Sequence, residues 1–238
     1  MTALERTAVV LLSGGLDSAT CLALARRDGF RCHALTFDYG QRHKAEIECS
    51  ARVADSLGAE SHTVYSLDVT PFAGSSLTTG GHVPKDSPEP GSGAIPSTYV
   101  PARNLVFLSI ATAYAEVLGA GDSFVGVNAV DYSGYPDCRP EFVESFAQSA
   151  KLATRRGTES GLPLTIHTPL LKLSKSGIVR AGLEAGVDFS LTTSCYDPLP
   201  GDHGPLACGR CDACILRRRG FEEAGTPDPT RYAEAVPR

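Results

Sequence analysis

Two short stretches of this chain carry residue types whose spacing suits chemistry. The first is Ser13-Gly14-Gly15-Leu16-Asp17-Ser18, which follows the apolar run Ala8 to Leu12. Paired glycines between a strand and a helix let backbone N–H groups point outward without interference from Cβ atoms. The helix N-terminus adds its positive end, so the place suits an anion. Ser13 and Ser18 supply hydroxyl donors. Asp17 would repel a bare phosphate, so the expected role for it is to bind a magnesium ion that bridges phosphates. The pattern is neither G-x-x-x-x-G-K-[ST] nor G-x-G-x-x-G. The competing reading is a tight strand-to-helix turn with a serine or aspartate cap.

The second stretch holds Cys195 and the run Cys208-x-x-Cys211-x-x-Cys214. Four thiolates complete a closed tetrahedral site and leave no open position, which suits a structural zinc rather than a catalytic one. The residues between (Asp197, Pro198, Pro200, Gly201, Asp202, Gly204, Pro205) have almost nothing to bury. Zinc binding, which contributes on the order of 10 kcal/mol in small knuckles, would order them. A redox C-x-x-C pair, an iron–sulfur cluster and a nucleic-acid-binding zinc ribbon also fit these residues. The ribbon would gain from Arg217-Arg218-Arg219, although these arginines read equally as a solvated or subunit-facing helix surface. Cys21, Cys32, Cys49 and Cys138 lie scattered among apolar residues and read as core filler.

The elements that must position these groups alternate. Continuous apolar runs at Ala8 to Leu12 and Cys32 to Phe37 predict parallel strands buried on both faces. Helical spacing predicts helices over Leu16 to Arg27 and Lys44 to Leu57, stopped by Gly29 and Gly58. Further strands are expected at Ser61 to Leu67, Ser123 to Asn128 and Thr165 to Leu170. Further helices are expected at Asn104 to Leu118, Glu141 to Thr154 and Ser174 to Ala185. Strand and helix alternating at these spacings predict an α/β fold with a doubly wound parallel sheet. Residues 1–190 form the nucleotide-binding domain on this reading, and 191–238 a zinc-binding segment. The Gly/Pro/Ser/Thr-rich stretch 70–97 reads as a long surface loop, either a lid or binding segment or simple disorder.

Composition excludes several classes. The 238 residues are 42% hydrophobic and 21% charged, as expected of one large globular domain. A net charge of −5 argues against broad wrapping of a phosphate backbone, so no stable nucleic-acid partner is expected. No apolar run reaches the length of a membrane helix and no secretory pattern opens the chain, so a cytoplasmic protein is expected.

The loop resembles the PP-loop signature S-G-G-x-D-S of the adenylating ATP pyrophosphatases, which transfer AMP to an acceptor oxygen and release pyrophosphate. Further segments make the resemblance more specific. They are Phe37 to His43, Tyr99-Val100-Pro101-Ala102-Arg103-Asn104, Gly126 to Phe142, Leu173-Ser174-Lys175, Ser194-Cys195-Tyr196 and Cys208 to Cys214. Over almost the whole chain they resemble the 7-cyano-7-deazaguanine synthase family. The spacer between Cys195 and Cys208 and the Pro/Gly-rich insertion before Ser97 depart from that family's pattern.

The resemblance implies an ATP-dependent C–N ligase that turns 7-carboxy-7-deazaguanine and ammonia into a nitrile, acting as a homodimer. It implies ATP contacts at Leu12, Ser13, Gly14, Gly15, Leu16, Asp17, Ser18, Ala19, Thr20, Cys21 and Leu22. Asp17 and Lys175 would be catalytic, Lys175 facing the phosphates, although a solvated lysine at a helix start fits the sequence too. Tyr39, Arg103, Asp131, Tyr132, Tyr135, Asp137 and Arg139 would bind the substrate. The residues of the Asp131 to Arg139 segment support this independently. Carboxylates there could accept from ring and amino N–H groups, and aromatics could cover a purine-like face. A loop that packs its tyrosines on the core is the alternative. A tRNA-modifying thiolase, which would need a catalytic cysteine and an RNA-binding surface, is the rival enzyme.

Overall fold

The computed structural model describes residues 6–41, 45–68, 74–78, 81–90, 95–128, 134–202 and 205–233. Five strands, β1 (Arg6–Leu11), β2 (Phe30–Asp38), β3 (Ser61–Ser66), β4 (Asp122–Phe124) and β5 (Thr165–His167), form one sheet in the order β3-β2-β1-β4-β5. Every pairing is parallel, with Val9 opposite His33 and Ser123. The order reverses at β1, so the crevice beyond the carboxyl ends of β1 and β4 is the switch point at which such sheets bind ligands.

Alternate residues of β1 feed two cores. Ala8 and Val10 pack with helix α1 (Leu16–Arg27) and with Phe30, Phe124, Ile178 and Phe221. Val9 and Leu11 face the other side, toward Leu108 and Ala111 of helix α3 (Arg103–Leu118). Burial of β1 on both faces explains its unbroken apolar run. Helix α2 (Ala45–Ser56) buries Cys49 and Val53. Helices α4 (Pro140–Ala153), α5 (Arg155–Ser160), α6 (Lys175–Glu184) and α7 (Asp212–Ala224) complete the described structure together with two 3-10 turns, Pro136–Cys138 and Phe189–Leu191. Among the described residues no helix is long and apolar enough to cross a membrane.

Differences from the sequence reading have local causes. The strand expected to reach Asn128 stops at Phe124, because Gly126 lies against the first turn of α1. A Cβ there would stand 3.3 Å from the Asp17 carbonyl and the Ser18 nitrogen. The expected strand to Leu170 likewise stops at His167. Helix α5 has no counterpart in that reading; Thr154 interrupts the helical path with extended backbone and caps α5 by accepting from Gly157 N at 3.2 Å.

The stretch 70–97 is not simply a surface loop where it is described. Ser75, Leu77 and Val83 are buried, and Lys85 bridges to Cys211. The arginine run is not simply a solvated or subunit-facing surface either. Arg217 is 2% exposed and bound to Asp228 Oδ1 at 3.1 Å. Phe221 of the 191–238 segment sits in the same core as β1.

Candidate active site

The loop at the carboxyl end of β1 is shaped by its own hydrogen bonds. Ser18 Oγ donates to the Gly15 carbonyl at 3.1 Å, lies 3.0 Å from Ser13 Oγ, and accepts from Ser13 N at 3.2 Å. Gly14 has φ +85°, and a Cβ on it would stand 2.4 Å from the Glu46 carbonyl oxygen, so the first turn of α2 rests directly on the loop. From the other side Thr193 N donates to the Gly14 carbonyl at 3.0 Å. Gly15 is the N-cap of α1 and offers no side-chain cap, which leaves the first N–H groups of that helix to an anion.

Asp17 stands in the first turn of α1. Its Oδ2 accepts from Lys175 Nζ at 2.6 Å and from Asn128 Nδ2 at 3.2 Å. Its Oδ1 is buried and has no hydrogen-bond partner among the described residues. Lys175 opens α6, whose N-cap Ser174 accepts from Gly177 N at 3.2 Å. The start of α1, the loop beyond β4 and the start of α6 thus converge on one carboxylate. The lysine is a partner of Asp17, not a solvated helix-start residue, and it is only 15% exposed.

These groups open into a cavity of about 280 Å³. Its wall at the glycine loop is formed by Leu12, Ser13, Gly15, Leu16, Asp17, Ser18 and Lys175. Its far side holds Tyr39, Arg103, Phe107 and Tyr135. Arg103 Nη1 donates to Tyr39 Oη at 3.2 Å. Burial works against the Arg103 cation, yet the neighbouring Tyr39, Tyr196 and Tyr135 hold it charged well above its ordinary range. Burial likewise raises the Tyr39 phenol, against the pull of Arg103. Between the two sides lies Glu46, whose carboxyl burial lifts from 4.5 to about 7 while Arg103 pulls it down.

Other sequence-derived candidates fall elsewhere. Ala19, Thr20, Cys21 and Leu22 are wholly buried in α1 and line no part of the cavity. Gly14 backs the loop without lining the cavity. Asp137 accepts from Asn104 N at 2.7 Å and so caps the start of α3, and Arg139 is exposed beside α4. Asp131 and Tyr132 lie outside the described residues. The residue reading did not name Glu46, and it gave no site role to Asn128, Tyr196 or Arg217. An acid in the first turn of a helix reads as a complement to its dipole, which hid Glu46. For Arg217 a signal existed, because Cys214, Arg217 and Phe221 share one helical face.

The four clustered cysteines are all buried, and their sulfurs lie within 4.8 Å of one another. Tetrahedral Zn–S bonds of about 2.3 Å give edges of about 3.8 Å, so the donor set fits. Backbone N–H groups point at the sulfurs: Cys208 N to Cys195 Sγ at 3.2 Å, and Cys211 N to Cys208 Sγ at 3.4 Å. Such donors suit thiolates, and one divalent cation can neutralise sulfurs that cannot all ionise alone. The cluster borders the cavity, since Cys195, Tyr196 and Ala213 line it. Cys138 also lines it and accepts from Asn104 Nδ2 at 3.0 Å.

Comparison with known proteins places this arrangement in a family. Residues 7–225 match the family described as Queuosine biosynthesis protein QueC. The chain is 58% identical over 230 residues to the 7-cyano-7-deazaguanine synthase of Solidesulfovibrio magneticus, covering 96% of this chain and 97% of that one. It is 57% identical over 229 residues to the synthase of Syntrophobacter fumaroxidans, covering 96% and 97%. With that of Kineococcus radiotolerans it shares 56% identity over 233 residues, covering 98% and 100%. The match spans the phosphate loop, Glu46, Arg103, Lys175 and all four clustered cysteines, and the chain belongs to the QueC family of queuosine biosynthesis enzymes.

Proposed function

We propose that this enzyme converts 7-carboxy-7-deazaguanine and ammonia to 7-cyano-7-deazaguanine in the cytoplasm, using ATP to activate oxygen twice. The observation that carries the reading is the Asp17–Lys175 pair at the open N-terminus of α1, facing Arg103 across one cavity. A carboxylate oxygen is a poor leaving group, and transfer of AMP to it, with release of pyrophosphate, makes it a good one. Ammonia then forms the C–N bond as the C–O bond to AMP breaks, giving the amide. A second adenylation, at the amide oxygen, allows loss of AMP to leave the nitrile.

The chain's own groups have defined work in this sequence. N–H groups of the loop and of the first turn of α1 hold the phosphates, and Lys175 meets charge gathering on the departing pyrophosphate. Arg103 orients the anionic acceptor, its own direction set by Tyr39. Magnesium fits at Asp17, whose unpartnered Oδ1 is a buried acceptor in want of a cation, and it would neutralise phosphate charge there. Zinc at Cys195, Cys208, Cys211 and Cys214 has only a structural part. A homodimer accords with α3, which carries apolar residues on every side and leaves Leu105 and Val117 exposed.

Mass spectrometry of a reaction containing ATP, magnesium, an ammonium salt and 7-carboxy-7-deazaguanine tests the reading. The nitrile should appear with wild-type protein and be absent with Asp17→Ala of unchanged zinc content. Folded, zinc-loaded wild type that makes no nitrile and consumes no ATP would sink it.

A further inference from the structure

Forming a nitrile from ammonia requires nitrogen to lose every proton it brings, and none of the groups assigned above accepts one. Asp17 is held by Lys175 and Asn128. Arg103 and Lys175 are cations. Glu46 is the remaining carboxylate among the described residues that line the cavity.

Its position is set by backbone. Its carbonyl packs against Gly14, so the residue cannot move without the phosphate loop, while its side chain belongs to the cavity that Arg103 and Tyr39 share. Glu46 therefore stands where the phosphate side meets the acceptor side, which is where bonds to the carboxyl carbon are made and broken. The groups that act on it electrostatically are Arg103 from α3, Tyr39 from the end of β2 and Cys49 on its own helix, and the other titratable groups of the cavity are Asp17, Lys175, Tyr135, Cys138, Cys195, Tyr196 and Arg217.

We propose that Glu46 is the proton acceptor of the reaction, taking a proton from nitrogen in amide formation and again in nitrile formation. In the first step the C–N bond forms, the C–O bond to AMP breaks with its electron pair going to AMP, and the surplus N–H proton passes to the Glu46 carboxylate. In the second, the O-adenylated amide R–C(O-AMP)=NH2+ gives one proton to Glu46, which passes it to water, and the resulting imidate R–C(O-AMP)=NH then loses its last N–H proton to Glu46. The N–H pair becomes the last C≡N bond as AMP departs. Between steps the proton leaves through the open cavity to water. A base works best with a pKa near the operating pH, and burial holds this carboxyl at about 7. The assignment rests on the reaction proposed above.

The test compares wild type with Glu46→Gln and Glu46→Asp, each checked for zinc content and thermal midpoint. Wild-type pyrophosphate–ATP exchange that depends on 7-carboxy-7-deazaguanine is measured first, because it probes adenylation alone. Its absence would refute the proposed reaction and this assignment together. With exchange present, Glu46→Gln should keep it near the wild-type rate, while nitrile formation falls about 100- to 1000-fold. The rise of kcat with pH near 7 should disappear in Glu46→Gln and persist in Glu46→Asp. Three results would overturn the proposal: nitrile formed at the wild-type kcat; a raised substrate KM with kcat and pH profile unchanged, as for a residue that only reads the purine; or exchange lost together with nitrile formation.

Discussion

The change Asp228→Asn isolates one buried charge whose loss should be felt well away from it. Arg217 is 2% exposed, and its guanidinium reaches four acceptors: Asp228 Oδ1 at 3.1 Å, Thr192 Oγ1 at 2.8 Å, the Phe189 carbonyl at 3.0 Å and Ser194 Oγ at 3.4 Å. Only Asp228 is charged. At an effective dielectric constant of about 20 the Coulomb attraction across that gap is about 5 kcal/mol. The asparagine carbonyl and the three remaining acceptors recover part of it, so the expected loss is about 3 kcal/mol, at the low end for orphaning a buried cation. For a chain of this size that lowers Tm by about 6–12 °C.

Urea unfolding at pH 7 measures the loss directly. Adding Arg217→Met to Asp228→Asn removes the stranded cation, so the double variant should be no less stable than Asp228→Asn alone. The pH dependence has a definite sign. Burial would raise the Asp228 carboxyl, but Arg217 and the hydrogen bond from Tyr232 hold it below its ordinary 3.8. Its contribution is therefore complete above pH 3.8 and is lost as pH falls through the lower, folded-state value. The gap between wild type and Asp228→Asn should narrow in that acid range. A loss below about 1 kcal/mol at neutral pH, or a double variant weakened by the sum of the singles, would refute the argument.

Two further changes probe the cysteine cluster and the start of α3. Cys208→Ser should lose bound zinc by elemental analysis and, with it, hydrogen-exchange protection at Asp86, whose N–H is bonded to the Arg210 carbonyl at 2.8 Å; unchanged protection would separate the metal from that contact. Ala102 precedes α3 with φ 54°, where a Cβ is strained, so Ala102→Gly should raise stability by about 1 kcal/mol, or Tm by about 2–4 °C, and a fall in Tm would contradict the strain.

What the sequence made legible was whatever is written in neighbouring residues. The run Ala8 to Leu11 reads as a buried central strand because both its faces are covered. The loop Ser13 to Ser18 and the C-x-x-C-x-x-C run each carry their chemistry within a few positions. What stayed hidden depends on partners far along the chain. Asp137 reads as a ligand-facing carboxylate because nothing near it shows that the N–H of Asn104, 33 positions earlier, needs a cap. Arg217 reads as one of three solvated arginines until Asp228 and Thr192 close around it. Glu46 gained its raised pKa only when β2, α3 and the phosphate loop removed its water.

The segment 193–196 shows how a metal held by the four cysteines, though doing no chemistry, would act on the neighbouring cavity. Thr193 donates to the Gly14 carbonyl and so braces the phosphate loop. Ser194 is gripped by Arg217. Cys195 belongs to the metal cluster, and Tyr196 supports the charge of Arg103. Four consecutive residues thus tie the Ser13 to Ser18 loop, the buried ion pair, the cysteine cluster and Arg103 to one stretch of backbone. At about 3.3 Å per residue such a stretch cannot yield at one position without shifting the others. A metal lost from the four cysteines would therefore be read at the Ser13 to Ser18 loop and at Arg103 together, which is the physical sense in which a closed cysteine site would shape the cavity it borders.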